Sequence, residues 1–167
     1  MSQSKDSRTK RICVILSGCG VMDGAEIHES VITLLALSRA GAEVQIAAPD
    51  KPQLHVVNHT TNAVAEGETR NVLDETNRIA RGTAVALSTI QASDFDAVFL
   101  PGGFGAAKNL STFAVSGTEG TVDPQVRRAS YGQSKDASKA EEKKSDPFDP
   151  KAFNREFFPK PKTKSDG

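Results

Sequence analysis

Two glycine-rich loops carry the residue types best suited to chemistry. Residues 17–24 read SGCGVMDG and residues 101–105 read PGGFG. Each loop follows a short apolar run and precedes a helical pattern. Glycines let backbone N–H groups approach a ligand closely, and the N-terminus of the following helix favours negative charge. Each loop is therefore a candidate binding loop.

Glu26, just after the first loop, has two interpretations. In one, Asp23 is the N-cap of a helix and Glu26 lies at its third position, so that the two side chains form a capping box. In the other, Glu26 is a carboxyl group at the mouth of a strand that acts as an acid or base. The spacing by itself favours the cap. His28, one turn into the same helix, faces solvent or the cleft.

The two cysteines differ in their surroundings. Cys13 lies within an apolar run and is interpreted as a small buried hydrophobic residue. Cys19 lies in the first loop, near a helix N-terminus that could lower its pKa. Because no basic residue adjoins it, a packed loop thiol is favoured over a nucleophile. Two cysteines are too few for a disulfide scaffold, which fits a reducing compartment.

A nucleotide site is the weakest of the hypotheses drawn from the loops. Gly18, Gly20 and Gly24 resemble a dinucleotide-binding motif, but the spacing is off by one and Asp23 would face the phosphates. His55 and His59 stand four residues apart in a stretch expected to be extended, which does not suit a metal. We predict no metal and no cofactor.

The elements that must position these loops alternate between strand and helix. Continuous apolar runs predict buried strands at 11–17, 43–48 and 96–100. Helices are predicted at 25–40, where Ile27, Val31, Leu34, Leu35 and Ser38 would form a stripe facing the core, and at 70–81 and 106–113. Residues 54–64 predict a hairpin or irregular loop. The alternation indicates a parallel α/β sheet, whose ligands bind at the carboxyl ends of the strands.

Composition divides the chain of 167 residues into three parts. Residues 1–10 are polar, and residues 11–126 are expected to form the α/β domain. The first 126 residues carry 10 Lys and Arg against 14 Asp and Glu, whereas residues 127–167 carry 11 against 7. The latter contain no Val, Ile, Leu or Met, which predicts a basic, disordered tail. Ser130 follows two arginines and is a candidate phosphorylation site. The neutral whole-chain charge argues against nucleic acid, and no apolar run is long enough to predict a membrane span.

Five segments together resemble one known family. They are ILSGCGVMDGAEIHE at 15–29, APD at 48–50, ETRNVL at 68–73, RIARG at 78–82 and LPGGFGAAKNLS at 100–111. In this order they resemble the ElbB-type proteins, the bacterial isoprenoid biosynthesis glyoxalases and their mitochondrial homologues. These belong to the PfpI, or class I glutamine amidotransferase-like, superfamily. The resemblance covers about residues 11–126.

The resemblance implies a flavodoxin-like, doubly wound fold and a glutathione-independent glyoxalase activity that converts a dicarbonyl to a hydroxy acid. It assigns Glu26 as a catalytic residue, and Gly102 and Gly103 as the loop that stabilises an oxyanion. Cys19, Asp23 and His28 are then candidates for the cleft. The implied location is the cytoplasm, or the mitochondrial matrix in a eukaryote.

The family's nucleophilic cysteine stands on a later elbow, and neither Cys13 nor Cys19 matches it. The resemblance ends near Val126, so the expectation is a truncated sheet and a catalytically defective protein. The alternative is a non-enzymatic accessory subunit whose open sheet edge is covered by another copy or a protein partner. Nucleotide binding through Gly18 to Gly24 is the third hypothesis.

Overall fold

The first strand, β1 (Arg11–Ile15), lies inside a four-stranded parallel sheet. The computed structural model describes residues 8–131. The other strands are β2 (Glu43–Ala48), β5 (Val85–Ala86) and β6 (Ala97–Phe99), and the order across the sheet is β5-β2-β1-β6. Ile12 pairs with Val44 on one side and with Ala97 on the other. The apolar run of β1 is buried on both faces, as predicted for a central parallel strand.

Helices and a short hairpin connect these strands. There are two longer helices, α1 (Ile27–Arg39) and α2 (Val72–Ala80). Along the chain, an antiparallel pair of short strands, β3 (Val57–Asn58) with β4 (Ala63–Val64), lies between β2 and α2. Three further helices follow β6: α3 (Gly105–Asn109), α4 (Phe113–Ser116) and α5 (Pro124–Tyr131). The predicted hairpin is therefore present, and the helix predicted at 106–113 is divided between α3 and α4.

Two apolar clusters cover the two faces of the sheet. On one face, Val14 and Ile46 pack with Leu34 and Leu37 of α1 and with Ala80 of α2. The cluster on the other face joins strand residues to helix α5, and its members are Cys13, Ile15, Ala47, Leu87, Ile90, Leu110, Val126 and Ala129. Helices on both faces of a parallel sheet confirm the doubly wound, flavodoxin-like α/β fold.

The stripe predicted to face the core along α1 was wrong except at Leu34, which packs against the sheet as expected. Ile27, Val31 and Leu35 are 42%, 50% and 47% exposed, Ser38 is exposed as well, and Ser30 and Leu37 face the sheet in their place. The cause lies at the start of the helix. The Ser30 hydroxyl donates to the carbonyl oxygen of Glu26, and the Glu26 N–H donates to Gly102, so the first turn has a fixed rotation.

Strand β6 was expected to be buried but forms an edge of the sheet. Phe99 and the following Leu100 are exposed. A groove of about 470 Å³ lies beside the strand and is lined by residues that include Val98, Val126 and Tyr131. An apolar run predicts cover on both faces of a strand but not the number of strands beside it, and within residues 8–131 β6 pairs only with β1.

Helix α5 runs across the boundary predicted between residues 126 and 127. Ser130 lies in this helix, half-buried, and lines the groove beside β6. The rest of the predicted tail, residues 132–167, lies outside the described residues. None of the helices between residues 8 and 131 has the length and apolar character needed to cross a bilayer.

Candidate functional site

The order of the strands creates a crevice at the carboxyl ends of β1 and β6. The chain runs from β1 to β2 and β5 on one side, and then returns to place β6 on the other side of β1. The loops after β1 and β6 therefore leave the sheet at a topological switch point, where ligands of open α/β sheets bind. These are the two glycine-rich loops that the sequence singled out.

The two loops are hydrogen-bonded to each other along their backbones. Glu26 N donates to Gly102 O at 2.7 Å, Phe104 N to Val21 O at 2.8 Å, and Gly105 N to Gly24 O at 2.9 Å. A Cβ atom on Gly103, which has a φ of 112°, would lie 2.5 Å from Glu26 N. The second loop therefore packs directly on the start of α1, and glycine is needed for that approach.

Glu26 is itself the N-cap of α1. Its Oε2 accepts the Glu29 N–H at 2.6 Å, and its Oε1 lies 2.9 Å from Nδ1 of His28. The predicted capping box, with Asp23 as N-cap and Glu26 at the third position, was wrong because the helix begins at Ile27. The predicted catalytic role of Glu26 is a separate matter and stays a prediction.

The electrostatics of Glu26 favour its ionised form. Partial burial acts to raise the pKa of this carboxyl, but the hydrogen bonds from Glu29 N–H and His28 outweigh it and hold the pKa below its usual value. Glu26 is consequently a carboxylate near neutral pH. It is suited to accept a proton rather than to donate one.

Asp23 is buried beneath the first loop and is only 2% exposed. Its Oδ2 accepts the Val57 N–H at 2.7 Å, and its Oδ1 lies 3.9 Å from Nε2 of His59 and accepts no hydrogen bond from residues 8–131. Met22 N donates to that same His59 nitrogen. Asp23 thus holds the hairpin β3–β4 against the loop, beneath the surface of the cleft.

The two thiols have raised pKa values. Cys13 is fully buried in β1, and desolvation raises its pKa to about 11. Desolvation also raises the pKa of Cys19, and the negative charge of Glu75 adds to that effect. The lowering that a helix N-terminus could have produced at Cys19 is therefore not found, and the interpretation as a packed loop thiol fits this environment.

Glu29 is a site residue that the sequence did not indicate. Its Oε2 accepts the Gly102 N–H at 2.6 Å, although the two residues are 73 positions apart. One of the N–H groups expected to stabilise an oxyanion is thus hydrogen-bonded to a carboxylate of the protein. The only available signal was the position of Glu29 in the first turn of the helix that Glu26 begins.

Asn109, at the end of α3, was also missed. It is 1% exposed. Its Nδ2 donates to Ser17 O at 2.9 Å and to Asp23 O at 2.8 Å, while its Oδ1 accepts the Leu54 N–H at 3.0 Å. A single amide side chain thereby fastens the first loop to the second loop's helix.

The glycine N–H groups of the first loop are already hydrogen-bonded within the protein. Gly18 N donates to Oγ1 of Thr76 at 3.1 Å, Gly20 N to Ala25 O, and Gly24 N to Gly20 O. These N–H groups are engaged, so the loop geometry gives no support to nucleotide binding. Among residues 8–131, no group of three or more His, Cys, Asp or Glu side chains is arranged to hold a metal.

The chain is similar to three vertebrate mitochondrial proteins. It is 58% identical over 118 residues to the human glutamine amidotransferase-like class 1 domain-containing protein 3, mitochondrial. It is 56% identical over 118 residues to the rat ES1 protein homolog, mitochondrial, and 40% identical over 121 residues to the zebrafish ES1 protein, mitochondrial. These matches cover 71%, 71% and 70% of this chain and 44%, 44% and 45% of the relatives.

One solved structure is similar to this chain in both fold and sequence. The isoprenoid biosynthesis protein with amidotransferase-like domain from Ehrlichia chaffeensis matches with a TM-score of 0.67 and 39% identity, covering 71% of this chain and 56% of that one. The chain therefore spans less than half the length of the vertebrate relatives and just over half of this structure. No protein-family profile matches it.

Proposed function

Since the matched part of this chain is homologous to class 1 glutamine amidotransferase-like, ElbB-like proteins, we propose that its two loops bind a small dicarbonyl compound. The observation that carries the proposal is the hydrogen bond between Glu26 N and Gly102 O, since it brings a carboxylate and a glycine loop together at the switch point. Backbone N–H groups of Gly102 and Gly103 would receive a carbonyl oxygen. Glu26 would accept a proton from the hydrated ligand.

We further propose that the 167-residue chain binds such a ligand without converting it. Glyoxalase chemistry of the type implied by the resemblance turns methylglyoxal and water into lactate, and it begins with attack by a thiolate. Both thiols of the chain, Cys13 and Cys19, have raised pKa values and are protonated at neutral pH. Neither is suited to that step.

Two measurements on the purified 167-residue chain test the proposal. Hydroxyacetone, a neutral ketone that replaces the more reactive dicarbonyl methylglyoxal, is titrated into ¹⁵N-labelled protein, and the amide signals of Gly102, Gly103 and Glu26 are followed. Movement of these signals, with Gly67 unmoved as a remote reference, supports binding at the loops. If none of these signals moves up to the highest hydroxyacetone concentration used, the proposed binding at the loops is overturned.

The second measurement incubates methylglyoxal with the protein and quantifies lactate. The expected yield equals that of buffer alone. Lactate formation that disappears in Cys19→Ser would show that Cys19 is a working nucleophile, and the proposed defect would then be wrong.

The second candidate function is a non-enzymatic binding module that pairs with a second copy of itself. The apolar surface formed by Ile27, Val31 and Leu35 on α1 favours it, together with the edge of β6 that no strand of residues 8–131 covers. Surfaces of this kind mark association sites. Sedimentation velocity over a wide concentration range should show a dimer that Val31→Asp weakens and Thr61→Asp, in the hairpin, leaves unchanged. A monomer at every concentration would exclude it.

We also propose a mitochondrial location. The human, rat and zebrafish relatives are all named as mitochondrial, which favours the mitochondrial alternative over the cytoplasmic expectation. Fractionation of cells that express the native gene tests it. Recovery of the protein only in the cytosolic fraction would contradict it.

A further inference from the structure

The Glu29 side chain accepts a hydrogen bond from the Gly102 N–H, which the proposed site needs for its ligand. Its carboxylate accepts the Gly102 N–H at 2.6 Å, and a Cβ atom on Gly102 would lie 2.5 Å from the same Oε2 atom. The side chain belongs to an exposed residue in the first turn of α1. A carbonyl oxygen can therefore reach this N–H only after the Glu29 carboxylate has moved away.

We propose that Glu29 is the specificity-determining residue of this site, closing the Gly102 N–H to anionic oxo acids while letting neutral carbonyl compounds displace its side chain. The inference rests on the proposed function, because it assumes that carbonyl ligands bind at the Gly102 loop. It adds the class of ligand and the residue that selects it.

The selection is electrostatic. Glu26 and Glu29 are joined through the Glu29 N–H, which donates to Glu26 Oε2 at 2.6 Å, so their two carboxylates flank the same stretch of backbone. Glu26 also makes a hydrogen bond at 2.9 Å with Nδ1 of His28, whose side chain is 87% exposed. An anion that approaches Gly102 meets both negative charges, whereas a neutral carbonyl oxygen meets only competition for a hydrogen bond.

An exposed side chain suits a gate of this kind. A charge-assisted hydrogen bond at the surface is strong enough to hold Glu29 in place, yet water can solvate the carboxylate once it is displaced. A buried carboxylate could not leave its donor so readily, because it would have no other partner.

The test compares pyruvamide with pyruvate, which have the same number of non-hydrogen atoms and differ by one negative charge. Each is titrated at pH 7 into the ¹⁵N-labelled 167-residue chain, and dissociation constants are read from the Gly102 and Gly103 amide signals. The variants are Glu29→Gln, which keeps an acceptor but removes the charge, and Glu29→Ala, which removes both. Glu66→Gln removes an exposed charge outside the site and is the matched control.

The native chain should bind pyruvate about five- to tenfold more weakly than pyruvamide. Glu29→Gln should reduce this ratio to about twofold or less, since Glu26 alone remains. Glu29→Ala should in addition bind pyruvamide more tightly than the native chain does, because the N–H is free. Glu66→Gln should retain the native ratio.

Two failures are distinguishable. If both ligands move the loop signals and the ratio is the same in the native chain and Glu29→Gln, the role of Glu29 is refuted while the carbonyl site stands. If neither ligand moves these signals in any variant, the proposed site itself is refuted, and the inference fails with it.

Discussion

The Asn109 side chain donates from Nδ2 to the carbonyl oxygen of Asp23 at 2.8 Å, across 86 positions of sequence. The same nitrogen donates to Ser17 O, so one amide holds both ends of the loop that follows β1. The glycine loop is thereby fixed by the first helix after β6. The geometry of the candidate site depends on this contact as much as on the sheet.

Asn109→Ala should strongly destabilise the protein. It removes three hydrogen bonds and leaves the buried carbonyl oxygens of Ser17 and Asp23 without this donor, which costs about 2–4 kcal/mol. Urea unfolding measures the change. The matched control is Asn58→Ala, in the exposed hairpin, where Oδ1 accepts from Thr60 and Thr61, and it should cost less than about 1 kcal/mol. Equal losses in the two variants would contradict the role given to Asn109.

Gly103→Ala should separate the second loop from the start of α1. The new Cβ would meet backbone atoms of Gly24, Ala25 and Glu26, none of which can turn away as a side chain can. We expect a loss of at least about 2 kcal/mol together with large amide shifts at Glu26 and Gly102.

Gly82→Ala is the control for that experiment. Gly82 also has a positive φ, 82°, but has nothing within 4 Å of the added Cβ. Its substitution should cost only the strain of the left-handed conformation, about 1 kcal/mol. A Gly103→Ala variant no less stable than Gly82→Ala would show that the loops do not pack closely.

The stability contributed by Glu26 should depend on pH. Its pKa is lower in the folded protein than in the unfolded chain, so the contribution is complete above the unfolded value, near 4.5, and is lost as the pH falls through the folded value. Glu26→Gln should therefore cost about 0.5–1 kcal/mol at pH 7 and progressively less below pH 4.5. Thermal or urea unfolding across this range checks it. A difference that grows toward acid pH would have the wrong sign.

The partner that lowers the Glu26 pKa can be tested separately. His28→Ala removes the side-chain hydrogen bond to the carboxylate and keeps those from the backbone, so the Glu26 pKa should rise toward its ordinary value. Carboxyl ¹³C signals followed by NMR report it directly. An unchanged Glu26 titration in His28→Ala would assign the whole effect to the backbone N–H groups of Glu29 and His28.

The two thiols should react slowly with iodoacetamide in the folded protein. Cys13 is fully buried and should be alkylated only after unfolding, whereas Cys19 is half-buried and should react more slowly than free cysteine at pH 7. The Cys19 rate should rise about tenfold per pH unit below its pKa, because the thiolate is the reacting form. Mass spectrometry of each peptide gives the rates. Faster alkylation of Cys19 than of free cysteine would mean an activated thiol.

Much of the sheet could be predicted from local patterns in the sequence. Continuous apolar runs marked β1 and β2, because a strand covered on both faces has no polar side to show. The two glycine loops could be expected to lie close together, because the carboxyl ends of parallel strands all lie at one edge of the sheet. The same patterns could not indicate that β6 lies at an edge, since an apolar run has the same appearance whether one or both of its neighbours are present.

The sequence by itself determined the α/β alternation, the two loops and the nomination of Glu26, Gly102 and Gly103. The alternation and the loops depend on residue types and on spacings within one element, whereas the roles of Glu26, Gly102 and Gly103 came from the resemblance to the ElbB-type proteins. The tertiary structure decided which face of α1 is buried, that Asp23 lies beneath the loop and that Cys19 is not activated. It also decided that Glu29 and Asn109 belong to the site. Each of these depends on contacts between segments some 30 to 90 residues apart. Packing decides which distant segments touch and which groups lose contact with water. Neither leaves a periodic pattern in the sequence.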